Sequence, residues 1–265
     1  MLLDYLKLIR PLNCAMGALG TLAAVFISGG GPIDGYVLGA VTASLAMAAG
    51  NVLNDYTDVE IDGIAHPDRP LPSGRIGRQR ALYLSTALFL LAVLASLPLG
   101  VSVFIIVLIN VSLMVAYETV AKKNPAGNMI ISYLVGSIFL FGGAIAGRAR
   151  GALPLFLLAF FATFGREIAK GIEDAEGDRG KRRTIALINP RMARSLSAAF
   201  VTLAIALSPL PYLCGILSGV YMALVMIADA LFIYSAVKLL KGERASSTMR
   251  YSMLVALISF IGGAI

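Results

Sequence analysis

The chain has 265 residues, of which 58% are hydrophobic and only 14% charged. A soluble domain is about 45–50% apolar and about 25% charged, so this excess of apolar side chain is too great for one soluble core and implies lipid as the solvent. The net charge of +7 would suggest nucleic acid for a soluble protein. In a membrane protein it follows from the Lys and Arg that gather in cytoplasmic loops, and no nucleic-acid partner is expected.

The N-terminal Met-Leu-Leu-Asp-Tyr carries Asp4 and lacks a small-residue cleavage site after a short apolar core, so it reads as retained rather than as a signal peptide. Nine apolar segments are long enough to be spans, near 11–29, 35–53, 81–98, 100–118, 129–147, 152–170, 192–209, 213–237 and 249–265. Open sheets cannot cross lipid, so these are expected to be helices. The fold class is therefore all-α, a single polytopic membrane domain over 1–265 with nine transmembrane helices.

Connections near 30–34, 99, 148–151 and 209–212 are very short, whereas 54–80, 119–128, 171–191 and 238–248 are longer and charged. Of the 22 Lys and Arg, only Arg148 and Arg150 fall on the short-loop side. The positive-inside rule then places the N-terminus and the long acidic loops in the cytoplasm of a multi-pass cell-membrane protein. Cys14 and Cys214 lie in apolar stretches and read as small buried side chains.

Two segments run directly into carboxylates. The second ends in Asn54, Asp55, Asp58, Glu60 and Asp62, and the sixth in Arg166, Glu167, Lys170, Glu173, Asp174, Glu176 and Asp178. Residues three, four and seven apart share a helical face, so Asn54, Asp55, Asp58 and Asp62 form one stripe if the helix continues, and Asp174 and Asp178 form another. Like charges at that spacing destabilise a bare helix, which calls for a neutralising cation. Clustered hard oxygens without nearby His or Cys suit magnesium, completed by phosphate and water. Arg10, Arg69, Lys122, Lys123, Arg166 and Lys170 lie near the acids, a setting that suits a polyphosphate. Arg166 and Lys170 stand out because they lie on the apolar helix itself, where charge is costly. The first cluster repeats in the second as Gly171, Asp174 and Asp178, at the same three-then-four spacing, which makes an old internal repeat plausible.

Asn-Asp-Tyr-Thr-Asp-Val-Glu-Ile-Asp at 54–62, Asp-Arg-Pro-Leu-Pro-Ser-Gly-Arg-Ile at 68–76, the stretch from Tyr117 through Lys122 to Gly127-Asn128, and the 165–178 segment together resemble the UbiA superfamily of intramembrane prenyltransferases. The resemblance begins at Arg10-Pro11-Leu12-Asn13, is strongest to residue 184 and extends loosely to the end. It implies two aspartate-rich motifs holding Mg2+ and a prenyl diphosphate. By position these are Asn54, Asp58 and Asp62, with Asp55 beside them, and Asp174 with Asp178. The expected diphosphate contacts are Asn54, Arg10, Arg69, Tyr117, Lys122, Arg166 and Lys170. Gly171 departs from the family, which often has Asp there; Glu167, Glu173 or water are the candidates to replace that ligand.

The compact chain and its second motif resemble most the archaeal ether-lipid branch, which transfers a geranylgeranyl group to the hydroxyl of geranylgeranylglyceryl phosphate. The main competing branch prenylates aromatic acceptors, of the 4-hydroxybenzoate type, for quinones. The implied chemistry is loss of diphosphate, giving an allylic cation in a low-water pocket and attack by the acceptor hydroxyl. Tyr56, Tyr117, Tyr133 and Phe139 are candidates to face that cation. His66 reads first as part of a loop turn, and Asn13, Asn110 and Asp229 as polar groups facing the bundle interior. An ion-coupled transporter is the competing class, but transporters place acids near the midplane on broken helices rather than at helix ends beside cations. A lipid-phosphate phosphotransferase is a further alternative.

Overall fold

The computed structural model describes residues 2–175, 187 and 189–265. Among these residues the chain is helical without strands. Its α-helices are α1 (Leu2–Ile9), α2 (Pro11–Ile27), α3 (Ile33–Thr57), α4 (Val59–Ala65), α5 (Arg78–Ser96), α6 (Val101–Thr119), α7 (Ala126–Ile145), α8 (Leu153–Glu173), α9 (Pro190–Leu207), α10 (Leu210–Leu213), α11 (Gly219–Leu240) and α12 (Ser246–Ala264). All nine apolar segments form helices. The largest offset is at 213–237, where Pro209, Pro211 and a positive φ at Gly215 divide the stretch into the short α10, a turn and α11.

Six of the described helices are long and apolar enough to cross a bilayer, and α1 with α2 can supply a seventh span through a 43° bend. Arg10 makes that bend. It is the only non-glycine residue with positive φ among the described residues, at φ 52, and Pro11 starts α2 with a preset φ. Left-handed backbone at a side-chain-bearing residue costs on the order of 1–3 kcal/mol, so something must hold it. The Arg10 guanidinium is held by Asp55 at the end of α3.

Neighbouring helices pack in the order α2, α3, α5, α6, α7, α8, α9, α11 and α12, and α12 returns to α2, which also crosses α7. Lipid gives no hydrophobic drive between helices, so close approach does the work. A Cβ added at Gly142 of α7 would fall 2.5 Å from the Ala24 backbone of α2. Gly165 of α8 similarly lies against α9, where Ser197 Oγ donates to its carbonyl at 2.6 Å. The two acid-bearing helices occupy matching places: α3 lies between α2 and α5, and α8 between α7 and α9.

The 66–77 connection is anchored rather than loose. Leu71 and Ile76 are buried with Leu8, Val52 and Ala81. Arg75 Nε donates to Asp4 at 2.9 Å, tying the loop to α1. The expectation of two buried cysteines fails: Cys14 is half-buried, with its thiol 3.1 Å from the Ile9 carbonyl, and Cys214 is exposed. Cys214 lies in the turn after α10.

Candidate active site

The first acidic motif is not one stripe. α3 ends at Thr57 and α4 starts at Val59, with Asp58 between them at φ −94 and ψ 7. The acids divide between two directions, and each finds its own cation. Asp55 pairs with Arg10, and Asp62 accepts from Arg69 Nη1 at 2.6 Å. Asp58 instead meets Lys122 Nζ at 2.5 Å and Asn54 Nδ2 at 3.2 Å. Each cation offsets the charge of its own acid, although Asp55 and Asp62 stay within electrostatic reach of each other. The cations come from α1–α2, the 66–77 loop and the turn after α6; Arg10 and Lys122 are 45 and 64 residues from their acids, Arg69 only 7.

Arg10, Asp55 and Arg69 line a polar pocket of about 450 Å³ together with Lys7, His66 and Asp68. Asn51 belongs to the same end of the bundle. Its Nδ2 donates to the Ile9 carbonyl at 2.9 Å, just before the Arg10 bend, and its Oδ1 accepts from Asn13 at 3.4 Å. Asn13 therefore faces the interior. Asn110 Oδ1 is also buried and has no partner among the described residues.

One residue of this end is absent from the sequence-based candidates. Glu118, in the last turn of α6, accepts from Lys122 Nζ at 3.1 Å, Asn54 Nδ2 at 3.1 Å and Thr57 Oγ1 at 3.3 Å. Its only sequence signal is a carboxylate four residues before Lys122 at the end of an otherwise apolar helix. Tyr117 is half-buried beside it, its ring 3.3 Å from where a Cβ on Gly127 would lie.

The second end differs. Arg166 pairs with Glu167, and Arg166 Nε is buried with no hydrogen-bond partner among the described residues. Lys170 and Asp174 are exposed. Glu173 accepts from the backbone N–H groups of Ala245 and Ser246, both at 2.8 Å, and from Ser246 Oγ at 2.6 Å. It caps the first turn of α12 from a different helix, satisfying donors that a helix start leaves open. Glu167 and Glu173, two of the candidates to replace the ligand missing at Gly171, are thus both engaged by protein partners. Glu176 and Asp178 lie outside the described residues, so the second pair of aspartates is seen only at Asp174.

Among the described residues no three His, Cys, Asp or Glu groups converge into a ready metal cage. The donor set nevertheless fits magnesium, which takes one or two carboxylates and fills its shell with phosphate and water. The acids offer only hard oxygens, and the Lys122 ammonium already lies between Asp58 and Glu118 in the manner of a bound cation.

Between α2, α7, α8, α9, α11 and α12 lies an apolar cavity of about 650 Å³. Phe139, Leu158, Phe232 and Phe260 are among its walls, and Asp229 and Arg250 are rare charges on it. Asp229 accepts from Ser208 Oγ at 2.6 Å. Of the aromatic candidates only Phe139 faces this cavity, edge-on to Phe260 at 5.5 Å. Tyr56 instead lies under the Arg78 guanidinium, 4.8 Å from its centroid, and Tyr133 packs edge-on against Phe156.

A helical bundle with carboxylate–cation clusters at two helix ends and an apolar cavity between its helices is the form of an intramembrane lipid-modifying enzyme. Residues 18–259 match the UbiA prenyltransferase family, and the chain belongs to that family. It is 37% identical over 264 residues to the digeranylgeranylglyceryl phosphate synthase of Methanopyrus kandleri, covering 97% of both chains. A solved structure concerned with digeranylgeranylglyceryl phosphate synthase in membranes is 37% identical, has a TM-score of 0.94, and is matched over 100% of this chain and 98% of its own. A UbiA homolog from Archaeoglobus fulgidus bound to GPP and Mg2+ has a TM-score of 0.70 over 98% of each chain, at 17% identity; that likeness concerns the fold alone.

Proposed function

We propose that the chain transfers a geranylgeranyl group from geranylgeranyl diphosphate to the free hydroxyl of geranylgeranylglyceryl phosphate, in archaeal ether-lipid synthesis. The observation that carries the chemistry is that one bundle holds both the Asp58–Lys122–Glu118 network and an apolar cavity of about 650 Å³. Polar head and hydrocarbon tail of one substrate each find their own environment. The acceptor is chosen from the relatives, which share 37% identity over nearly the full length and bear the name of that reaction.

In this reading Asp55, Asp58, Asp62, Asp174 and Asp178 are the ligands available to Mg2+, which when bound neutralises charge on the departing diphosphate. Asn54, Arg10, Arg69, Lys122, Arg166, Lys170 and Tyr117 hold the diphosphate oxygens. Arg166 suits this role because its buried Nε has no hydrogen-bond partner among the described residues. A buried donor left unpaired costs about 1–3 kcal/mol, which an anion would recover. Phe139 and the other cavity walls exclude water from the allylic cation.

All nine long helices span the membrane in this reading. α8 and α12 are 21 and 19 residues long, or about 30 Å at ~1.5 Å per residue, and both are members of the helix ring. The charged turns and the N-terminus lie in the cytoplasm, as the placement of Lys and Arg requires, and 1–265 is one domain.

The test offers radiolabelled geranylgeranyl diphosphate and magnesium to the purified protein, with geranylgeranylglyceryl phosphate and 4-hydroxybenzoate in separate reactions. Transfer to the glyceryl phosphate that disappears with EDTA is expected. Transfer only to the aromatic acid would move the enzyme to quinone synthesis. Transfer to neither would overturn the reading.

A further inference from the structure

Around the end of α3, three aspartates each have a cation: Asp55 has Arg10, Asp62 has Arg69 and Asp58 has Lys122. Glu118 is the fourth carboxylate of the network and has no cation of its own. The ammonium that it meets at 3.1 Å is the one that Asp58 holds at 2.5 Å. Both side chains are well enclosed, Lys122 at 12% exposure and Glu118 at 10%, so solvent does little to screen them. The amide of Asn54 bridges the same two carboxylates, 3.2 Å from Asp58 and 3.1 Å from Glu118.

We propose that Glu118 is a positioning residue for the diphosphate site. It supplies the excess negative charge that admits a divalent cation beside Asp58, and it keeps Lys122 and Asn54 in place when Asp58 turns from the ammonium to that cation. The inference rests on the magnesium-diphosphate reading of this site. The argument is electrostatic. Lys122 and Asn54 both take Asp58 Oδ2, so a divalent cation on Oδ1 would lie close to the ammonium, and their repulsion weakens the hold of Asp58 on Lys122. Lys122 then needs a second anchor within reach, and Glu118, four residues before it, is already in contact. Without Glu118 the three aspartates are balanced one to one by cations, and the network has no net charge with which to draw in a metal. Asn54, neutral and bonded to both acids, links the two without adding charge.

The experiment uses Mn2+ alone, which takes the same hard oxygen donors, with the purified full chain in detergent and free metal read by its EPR signal. E118Q keeps the shape and removes the charge. It is expected to raise the Mn2+ dissociation constant about tenfold. The double variant E118Q/K122M removes one negative and one positive charge, and is expected to return to within about threefold of the unaltered protein. In the transfer assay E118Q should raise KM for the diphosphate more than it lowers kcat at saturating metal. Binding by E118Q equal to that of the unaltered protein would overturn the proposal. So would a double variant as weak as the single one, because damage to the fold would not be repaired by a second substitution. Product formation by the unaltered chain tests the transfer reaction separately, since Mn2+ binding involves neither prenyl substrate nor acceptor.

Discussion

The two acidic ends of the bundle hold their charges differently. At the end of α3 every aspartate of the motif has a cation of its own, and each cation comes from another part of the chain: Arg10, Arg69 and Lys122. At the end of α8, Glu167 pairs with its chain neighbour Arg166, Glu173 caps α12, Asp174 is exposed and position 171 has no side chain. The first end is a wired network whose partners must change when a ligand arrives. The second, among the described residues, is held in place by a helix cap. Charge pairing preorganises the first site, while backbone capping positions the second, so substitutions at the two should fail in different ways.

Asp58→Ala should break the first end most severely. It removes the acid that Lys122 and Asn54 share and leaves the ammonium with Glu118 alone. Loss of a preorganised group of this kind costs about 10²–10³-fold in kcat. The expected outcome is that loss in the radiolabel assay, with an unfolding midpoint close to that of the unaltered protein. An unchanged rate would remove Asp58 from the machinery.

Glu173→Ala should act in the opposite sense, on stability before chemistry. Three donors of α12, the N–H groups of Ala245 and Ser246 and the Ser246 hydroxyl, lose their acceptor. Loss of a helix cap costs about 0.5–2 kcal/mol. A lower thermal midpoint in detergent is expected, partly restored in Glu173→Gln, which can still accept. If Glu173→Ala instead left the midpoint unchanged and raised the magnesium requirement, Glu173 would be a ligand rather than a cap, and the contrast between the two ends would collapse.

Legibility in the sequence followed the range of the interactions. Helices depend on local composition, and all nine apolar stretches are helical, from Pro11–Ile27 to Ser246–Ala264. Span number is harder to read, because α8 and α12 carry polar turns that hydropathy counts against them. The acids of the site were visible as types, but their partners were not. Lys122 meets Asp58 across 64 residues and Arg10 meets Asp55 across 45, distances that only the packed bundle closes. The break at Asp58 could not be read either, since no glycine or proline marks it; ion pairs on two sides favour it. Glu118 looked like an ordinary carboxylate at a helix end, and the cap that Glu173 makes on α12 could not be read because the residues it caps lie 72 and 73 positions away.

Gly171→Asp gives the smallest effect and the sharpest view of the second end. A Cβ at Gly171 would meet nothing within 4 Å among the described residues, so a side chain enters without displacing any of them. Replacing glycine inside α8 gains a few tenths of a kcal/mol in helix propensity, while a new negative charge near the helix C-terminus loses about 0.3–1 kcal/mol to the dipole. The two nearly cancel, and the thermal midpoint should move little. What should change is the metal requirement. An added carboxylate three residues before Asp174 would lie on the same face of the helix, and the magnesium concentration giving half-maximal transfer should fall about threefold. A rise in that concentration, or no change, would mean that this face of α8 is turned away from the metal, with Asp174 too far from it to act as a ligand.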